Sequence, residues 1–474
     1  MKFKPLLAVA VATLSMSAMA QQKTINILSV NDMHATIDQM PRLAFVADSL
    51  RQIDPELIVL SGGDNRTGNP YNDRYAIPGY PMVALMNAIG FNASALGNHE
   101  WDTGPDGLRT VITLANFPFL CCNATVPSDL NLGLKPYTTL TAHDTKICLL
   151  GAIQTNLSGI PDSHPSNVKL VRFAPADSII PQYQSLRDQC DVMILLSHDG
   201  YEADIQTAER YPFFDEIIGG HTHTLTPDND FHNGVLITQA KNKLKYATLS
   251  TITLDGGKVT GRTSKQINLS AGKNINADVD RLMKIFMDNP ELEKTVVTVA
   301  SDFTNCEELG NMVCDALAAE TGCDIALQNG GGVRFDSFPA GPMKLSDVLR
   351  LDPFGNEAVK YEITGKEVAQ YIMDCFYYDE DQIPYVSGIQ YEMTVDKDKK
   401  PTGIKIRNLD GSKFDLKKKY KFVTNSYVTA ILPAPKSDAG TSTFRACSDY
   451  VLDYFKTHPS IDYKGSHRAT IIKK

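Results

Sequence analysis

The sequence predicts an α/β protein with mixed sheets, built from two domains. Short runs rich in Ile, Val and Leu alternate with amphipathic segments from residue 21 to about residue 270, as buried strands alternate with helices. This region ends in two β-like runs joined by Asp255-Gly256-Gly257, which predicts an antiparallel hairpin. A second α/β region follows from about residue 296, and the length of 474 residues allows two or three domains.

The first 20 residues predict a signal peptide for secretion. Lys2 and Lys4 precede an apolar stretch, and Ala18-Met19-Ala20 forms a small-residue cleavage site that places cleavage near Ala20. The apolar stretch is too short to cross a membrane, and no later run approaches about 20 apolar residues. We therefore expect a periplasmic or secreted protein with no stable membrane span.

Five predicted strands are each followed by residues that can bind a metal ion. Because the carboxyl ends of strands collect at one edge of a sheet, these residues are expected to lie together where ligand sites are favoured. A mixture of His, Asp and Asn without Cys fits a pair of divalent ions of borderline hardness, which Asp64 can bridge. In chain order the runs and their followers are TINILSV with Asp32 and His34, ELIVLSG with Asp64, NASAL with Asn98 and His99, DVMILLS with His198, and DEIIGG with His221 and His223.

Helical periodicity is clear in three segments between and after these strands. MPRLAFVADSLRQI and PMVALMNAIG predict helices, and Gly90 is suited to end the second one. NADVDRLMKIFMDNPELEK places Val279, Leu282, Met283 and Phe286 on one face and predicts a helix that joins the two domains. The expected boundaries are residues 1–20 for the signal peptide, 21–272 for the first domain, 273–295 for the linking helix and 296–474 for the second domain.

The charge and the cysteines limit the partners and leave the redox state open. A net charge of −9 argues against nucleic acid as a partner, whereas the local charge of metal ions permits a small phosphate-bearing substrate. Export permits disulfides among the nine cysteines, and buried thiols are the alternative. The candidates for pairing are Cys121, Cys122, Cys306, Cys314 and Cys323.

The strand-end residues together resemble the ordered motifs of the calcineurin-like metallophosphoesterases. These motifs are Asp32-x-His34, Gly63-Asp64, Gly97-Asn98-His99-Glu100, His198 and Gly220-His221-Thr222-His223. The longer stretch GNHEWDTG resembles the 5′-nucleotidase branch, and NGGGVR, LDPFGN and ITGKEV resemble the C-terminal domain of that family. The resemblance covers nearly the whole mature chain. It implies an N-terminal four-layer αββα sandwich, a linking helix and a C-terminal α/β substrate-binding domain.

The resemblance also implies a site with two divalent metal ions, such as Zn, Mn or Co. One ion would be held by Asp32, His34, Asp64 and His223, and the other by Asp64, Asn98, His198 and His221. His99 would face the phosphate and stabilise the transition state or the leaving oxygen, while Asp102 fixes the orientation of His99.

In the second domain, the resemblance implies contacts to the substrate. Arg334 would bind the phosphate through its planar guanidinium group. Asn329 and Asn356 lie in loops that match those of the family and would also contact the substrate. Tyr427 matches one of the two aromatic residues that stack on the base, whereas the other position holds Ile383, with Tyr385 two residues away. The Gly-Gly-Asp-Gly element of the family is missing after Tyr427, where VTAILPAPKSDAG stands instead.

These residues predict a secreted two-metal phosphohydrolase that releases phosphate from nucleoside 5′-monophosphates by attack of a metal-bound hydroxide. The missing Gly-Gly-Asp-Gly element leaves open UDP-sugars, 2′,3′-cyclic nucleotides or another phosphoester as substrate. A non-catalytic binding protein is a hypothesis of a different class, and the complete set of ligand positions argues against it.

Overall fold

The computed structural model describes residues 22–378, 382–433 and 435–474. The expected signal peptide, residues 1–20 with its cleavage site at Ala20, lies outside the described residues. In the described ranges, no helix combines the length and the apolar character that a bilayer crossing requires.

The first half contains most of the predicted strands at the predicted places. Its strands are β1 (Lys23–Val30), β2 (Ile58–Ser61), β3 (Ala93–Ala95), β4 (Phe119–Leu120), β5 (Ala124–Thr125), β6 (Tyr137–Ala142), β7 (Thr145–Ile153), β8 (Arg172–Phe173), β9 (Val192–His198), β10 (Glu216–Ile218), β11 (Phe231–His232), β12 (Val235–Thr238), β13 (Tyr246–Asp255) and β14 (Lys258–Asn268). Its helices are α1 (Met40–Arg51), α2 (Pro70–Asp73), α3 (Tyr80–Ile89), α4 (Gly104–Leu114), α5 (Pro165–Val168), α6 (Ala176–Ile179), α7 (Tyr201–Arg210) and α8 (Ala277–Phe286). Short 3-10 helices lie at Ile37–Gln39, His99–Trp101, Ser128–Leu130 and Ile180–Gln189.

Two six-stranded sheets stack face to face in this half and form a four-layer αββα sandwich. The strand orders are β14-β13-β1-β2-β3-β4 and β11-β12-β10-β9-β7-β6. Ile25 and Ile27 of β1 face the inner core with Ile147 and Leu149 of β7. Because side chains alternate along a strand, Leu28 of β1 faces the opposite side, where α1, α3 and α4 cover the sheet. Helices α6 and α7 cover the outer face of the second sheet.

Both sheets are mixed, and their parallel strands carry the candidate site. Strands β1, β2, β3 and β4 run parallel, as do β7, β9, β10 and β12. The predicted hairpin is confirmed, because β13 and β14 pair antiparallel across the turn at Gly256 and Gly257. The predicted end of α3 at Gly90 is also present, with Gly90 in the left-handed conformation.

The helix α8 lies inside the segment expected to join the two halves. It begins at Ala277 and ends at Phe286, and the Asn276 side chain accepts hydrogen bonds from the backbone N–H groups of Asp278 and Val279. Its buried face, with Val279, Met283 and Phe286, packs on the core beneath α1 and α3. The helix is therefore anchored to the first half.

The second half is a further α/β unit with three small sheets. Its strands are β15 (Thr295–Val299), β16 (Ile325–Gln328), β17 (Gly341–Lys344), β18 (Glu357–Thr364), β19 (Tyr385–Ser387), β20 (Ile389–Val395), β21 (Pro401–Asn408), β22 (Lys419–Asn425), β23 (Thr441–Ala446), β24 (Ser460–Ile461) and β25 (Ala469–Lys473). Its helices are α9 (Cys306–Thr321), α10 (Leu345–Leu351), α11 (Gly365–Tyr378), α12 (Ser426–Ile431) and α13 (Cys447–Thr457), with a 3-10 turn at Gly330–Gly332.

The central sheet of this half has the order β19-β16-β22-β18-β23 and is covered on its two faces by different cores. Helices α9 and α13 contribute to one core, and α11 contributes to the other. Of the cysteines considered for disulfides, Cys121 and Cys314 are buried thiols. The loop after β16 carries the turn that ends in Arg334, which faces the first half.

Candidate active site

The seven residues predicted as metal ligands lie together at the carboxyl ends of the strands. One ligand atom each from Asp32, His34 and His223 lies within 4.8 Å of the others, and the same holds for Asp32, Asp64 and His198. The first sheet supplies the turns after β1, β2 and β3, and the second sheet supplies those after β9 and β10. The stacking of the two sheets therefore brings together residues that are far apart in the chain.

Asn98 and His221 complete the cluster on one side of Asp64. The Asn98 Oδ1 atom lies 3.2 Å from Nε2 of His198 and 3.2 Å from Nδ1 of His221. Oδ2 of Asp64 lies 3.3 Å from Nε2 of His198. Imidazole, carboxylate and amide donors converge in the way that divalent ions of borderline hardness require, so the residues present fit such ions.

The backbone at this cluster is strained, which the sequence pattern did not reveal. Five of the seven candidate ligands have positive φ angles: Asp32 48°, His34 45°, Asp64 52°, His221 77° and His223 55°. A non-glycine residue in this conformation costs about 1–3 kcal/mol and persists only where its surroundings fix it. Hydrogen bonds between the turns supply that fixation, because the N–H groups of Asp32 and His34 donate to the carbonyls of Gly63 and Asp64 at 2.9 and 3.0 Å.

Gly97 allows the turn after β3 to approach Asp64 closely. A Cβ atom at Gly97 would lie 2.1 Å from Oδ1 of Asp64 and 2.4 Å from its backbone nitrogen. Only a residue without a side chain fits at this distance. The same turn carries Asn98 and His99, so the glycine places both beside Asp64.

Glu100 links the turns after β2 and β3 through hydrogen bonds to backbone N–H groups of both. Its buried carboxylate accepts hydrogen bonds from the N–H groups of Asp64 at 3.0 Å, Asn65 at 2.8 Å and Gly97 at 2.7 Å. Burial is the largest cause of the raised pKa of Glu100, and the nearby charge of Asp64 raises this pKa further. Glu100 belongs to the Gly97-Asn98-His99-Glu100 motif, but no pattern in the sequence indicated that it links two turns that carry candidate ligands.

His99 is held by the residue predicted to orient it. Its Nδ1 atom lies 2.8 Å from Oδ2 of Asp102, and its backbone N–H donates to Oδ1 of Asp64 at 2.9 Å. Burial disfavours the charged ring, but the carboxylates of Asp64 and Asp102 outweigh it and raise the pKa of His99. The imidazole therefore has a fixed orientation and a bias toward carrying a proton.

Two side chains of the second half lie against this cluster. Nη2 of Arg334 is 3.0 Å from Nε2 of His34, and its guanidinium lies over the ring of Phe354 at 5.6 Å from the centroid. Phe354 in turn stacks on His99. Phe354 stands in the segment LDPFGN, but it was not predicted from the sequence as a site residue.

The cluster opens into a cavity of about 880 Å³ between the two halves. Asn329, Asn356 and Tyr427, which were predicted to contact the substrate, line it together with Arg334 and Phe354. From the first half it is lined by residues that include His34, Asp64, Asn98, His99, His221 and His223. One cavity is thus shared by the candidate metal ligands and the candidate substrate contacts.

Tyr385 lies elsewhere, and this placement corrects the expectation that it contacts the substrate. Its side chain is buried in the core of the second half, and its ring packs so closely on α9 that a Cβ at Gly310 would lie 2.1 Å from it. It is absent from the described residues that line the cavity. The residue starts strand β19, whose pairing with β16 directs its ring into this core.

Comparison with known families identifies two domains in the chain. The calcineurin-like phosphoesterase model matches residues 25–225, and the model of the 5′-nucleotidase C-terminal domain matches residues 288–430. Together these matches cover more than two thirds of the chain. The first match covers most of the αββα sandwich, up to the strands β11 to β14, and the second covers much of the second α/β unit.

Two relatives and one solved structure show the same similarity. The trifunctional nucleotide phosphoesterase protein YfkN of Bacillus subtilis (strain 168) is 26% identical over 86% of this chain, which spans 32% of that protein. The protein UshA of Salmonella pullorum is 25% identical over 89% of this chain and 88% of its own length. The crystal structure of a 5′-nucleotidase precursor from Thermus thermophilus has a TM-score of 0.83 at 22% identity, covers 95% of this chain and 99% of its own, and shows the same fold.

The αββα sandwich, the cluster of metal-binding side chains and the two family matches agree. Both matching models are described by an enzymatic activity, which argues against the hypothesis of a non-catalytic binding protein. The chain belongs to the 5′-nucleotidase family and is a metal-dependent phosphoester hydrolase with a calcineurin-like phosphoesterase domain and a 5′-nucleotidase C-terminal domain.

Proposed function

We propose that this hydrolase releases phosphate from nucleoside 5′-monophosphates with the help of two divalent cations. Residues 21–272 would supply the metal site, residues 296–474 the substrate contacts, and residues 273–295 the connection between them. The single observation that carries the proposal is the shared cavity of about 880 Å³, in which the metal-binding cluster faces Arg334 and Tyr427.

The two cations would be held by sets of donors that share Asp64. Asp32, His34, Asp64 and His223 form one set, and Asp64, Asn98, His198 and His221 form the other; their convergence within a few ångströms supports this division. When bound, Zn, Mn, Co or similar ions lower the pKa of water and neutralise the charge of the phosphate.

His99 would act on the oxygen that leaves with the nucleoside. Because Asp102 fixes Nδ1, the Nε2 atom of His99 is the one that can donate a proton to the 5′-oxygen as the P–O bond breaks. Water supplies the oxygen that replaces it, so the products are inorganic phosphate and the nucleoside. The orientation of the ring by Asp102 and Phe354 supports this role.

The second half would hold the remainder of the nucleotide. The planar guanidinium of Arg334 suits two oxygens of one phosphate. Tyr427 offers a ring for stacking on the base, and Asn329 and Asn356 offer polar contacts along the cavity wall. Arg334 already lies within 3.0 Å of a candidate metal ligand, which supports a phosphate position between the two domains.

A second candidate substrate class follows from the segment after Tyr427. Residues 426–431 form helix α12, with Val428 fully buried, so this segment presents Tyr427 but no glycine-rich loop to the cavity. Fewer polar contacts to a base and ribose favour a broader set of phosphoesters, including UDP-sugars and 2′,3′-cyclic nucleotides.

Phosphate release from AMP, UMP, UDP-glucose, 2′,3′-cyclic AMP and p-nitrophenyl phosphate, measured with Mn²⁺, tests the proposal. We expect preference for AMP and UMP, and loss of this activity in His99→Ala. A purified protein that cleaves the aryl phosphate but leaves both monophosphates intact would overturn the nucleotide assignment and retain the phosphoesterase chemistry.

We also propose that the enzyme works in the bacterial periplasm or outside the cell. The support is the basic, apolar and small-residue pattern of residues 1–20. N-terminal sequencing of the protein recovered from the periplasm should start near Gln21. Full-length protein found only in the cytoplasm would contradict this proposal.

A further inference from the structure

The ring nitrogen of His223 that lies away from the other candidate ligands, Nδ1, contacts the side chain of Asn242, a residue that belongs to none of the family motifs. Nδ1 of His223 lies 3.0 Å from Nδ2 of Asn242. The other end of the same amide, Oδ1 of Asn242, is buried and makes no hydrogen bond among the described residues. A buried amide oxygen without a donor is costly, by about 1–3 kcal/mol, and calls for an explanation.

The opposite nitrogen of this ring shows which proton arrangement is needed. Nε2 of His223 lies 3.0 Å from Nε2 of His34 and 3.5 Å from Oδ1 of Asp32, in the middle of the candidate ligand cluster. A neutral imidazole binds a metal through an unprotonated nitrogen, so Nε2 must be free of a proton and Nδ1 must carry it. An Nδ1–H group needs an acceptor, and the nitrogen of an amide is not one.

We propose that the amide of Asn242 presents its oxygen, not its nitrogen, to His223, and that Asn242 is a positioning residue for this ligand. The oxygen and nitrogen of an amide are nearly interchangeable in shape, so the exchange keeps the 3.0 Å contact. After the exchange Oδ1 accepts from the Nδ1–H group of His223, which fixes the proton of His223 on Nδ1, and the NH2 group takes the buried place that Oδ1 held. This inference rests on the proposed function, since it assigns His223 to a metal.

The loop that carries Asn242 is fixed to the ligand turns by its backbone. The N–H of Lys243 donates to the carbonyl of Asp32 at 2.8 Å, and the carbonyl of Lys241 accepts from the side chain of Asn31 at 2.7 Å. Lys241, Lys243 and Leu244 have positive φ angles of 62°, 52° and 51°. Because this strained loop is tied directly to the turn of Asp32, it places the Asn242 amide within narrow limits.

His198, another of the candidate ligand histidines, has a backbone acceptor instead. Nδ1 of His198 lies 2.7 Å from the carbonyl oxygen of Gly62, which is always an acceptor. The acceptor for His223 is therefore a side chain, which a substitution can remove. Substitution of Asn242 should affect only the metal set that contains His223. Contacts of this kind change metal affinity by about 10- to 100-fold.

The test compares metal binding by Asn242→Asp, Asn242→Leu and Asn242→Ala in the mature chain freed of metal by chelation. Co²⁺ is titrated while affinity, stoichiometry and the visible absorption of the bound ion are recorded. We expect Asn242→Leu and Asn242→Ala to weaken one of two sites by about 10- to 100-fold and leave the other unchanged. Asn242→Asp should retain both sites, because a carboxylate oxygen also accepts from Nδ1–H.

A matched control lies in the same loop. Lys245→Ala removes an ammonium group that contacts Asp336 at 3.3 Å and should leave both Co²⁺ affinities unchanged. The thermal midpoint of each metal-free variant identifies any loss of folding, and Asn242→Ala serves if Asn242→Leu does not fold.

The outcomes separate this inference from the proposed function. Wild-type protein that binds no Co²⁺ would overturn the metal site itself. Two tight sites in the wild type, with equal affinity and absorption in Asn242→Leu or Asn242→Ala, would overturn the role of Asn242 and leave the proposed function in place. Equal weakening in Asn242→Asp and Asn242→Leu would show that Asn242 does not act as an acceptor, and would also overturn the inference.

Discussion

The ring of Phe354 stacks on the imidazole of His99, with centroids 5.5 Å apart and planes inclined by 20°. Phe354 comes from the second domain and His99 from the first. Asp102 fixes the same imidazole through Nδ1 at 2.8 Å, so the ring is held along its edge by its own domain and across its face by the other. The contact links the relative position of the two domains to the orientation of the proposed proton donor.

Phe354→Ala should therefore lower kcat on the preferred substrate. Aromatic pairs of this kind contribute about 0.5–1.5 kcal/mol beyond area burial, so the expected loss is about 2- to 10-fold. Phe354→Tyr preserves the ring and should retain most of the rate. Steady-state kinetics with metal analysis will distinguish this effect from loss of metal, and an unchanged kcat in Phe354→Ala would show that the stack has no role in turnover.

Asp102→Asn tests the other contact of His99. The amide can present its oxygen to Nδ1 but carries no charge, so the proton on His99 is less favoured. We expect kcat to fall, with a loss no larger than that in His99→Ala, which should be about 10²- to 10⁴-fold. Bound metal should remain at the wild-type level in both variants. A wild-type rate in His99→Ala would exclude His99 as the proton donor.

Arg334 is expected to affect substrate binding more than metal binding. Arg334→Ala removes hydrogen bonds to a charged phosphate, each of about 1.5–3 kcal/mol, and should lower kcat/KM by about 10- to 100-fold or more. Arg334→Lys keeps the charge without the planar fork and should recover only part of the loss. Arg445→Ala, which breaks an ion pair with Asp453 away from the cavity, is the matched control and should keep the wild-type kcat/KM. A wild-type kcat/KM in Arg334→Ala would contradict the phosphate contact.

The sequence predicted much of the fold because its signals are local. The runs that became β1, β2, β9 and β10 are short and rich in Ile, Val and Leu, and each is followed by glycine or polar residues. The hairpin at Gly256 and Gly257 has a glycine pair suited to two positive φ angles, 59° and 78°. These features depend on neighbours in the chain, so they can be read without the tertiary structure.

Several parts of the site depend on contacts between distant residues and could not be read in this way. Glu100 acts through the N–H groups of Asp64 and Asn65, 36 and 35 positions away, and Asn242 approaches His223 only through a strained loop. Tyr385 was expected to contact the substrate because it lies two residues from Ile383, which holds the second aromatic position of the family. In a strand, residues two apart share a face, but Ile383 precedes β19 and is exposed, whereas Tyr385 starts the strand and is buried.

Glu216 provides a test of stability away from the metal ligands. This residue of β10 is fully buried, and its Oε1 accepts from the hydroxyls of Ser250 at 2.5 Å and Thr238 at 3.1 Å. Burial raises the pKa of Glu216 to about 7, from 4.5. The folded chain therefore binds more protons than the unfolded chain between these pH values, so this residue's contribution to stability is complete below pH 4.5 and is lost as pH rises through 7.

Glu216→Gln removes this titration and should make the protein more stable than the wild type above pH 7. The expected difference in the free energy of unfolding grows from pH 4.5 to about pH 7 and reaches up to about 3 kcal/mol, at about 1.36 kcal/mol for each pKa unit. Urea unfolding of both proteins in chelator, at several pH values from about 4.5 to about 8.5, measures the difference without a contribution from metal. Glu209→Gln, an exposed change on α7, is the control and should show no such trend. If the difference in the free energy of unfolding between Glu216→Gln and the wild type stays constant across this range, Glu216 does not titrate there. If the variant becomes less stable relative to the wild type as pH rises, the sign of the prediction is wrong.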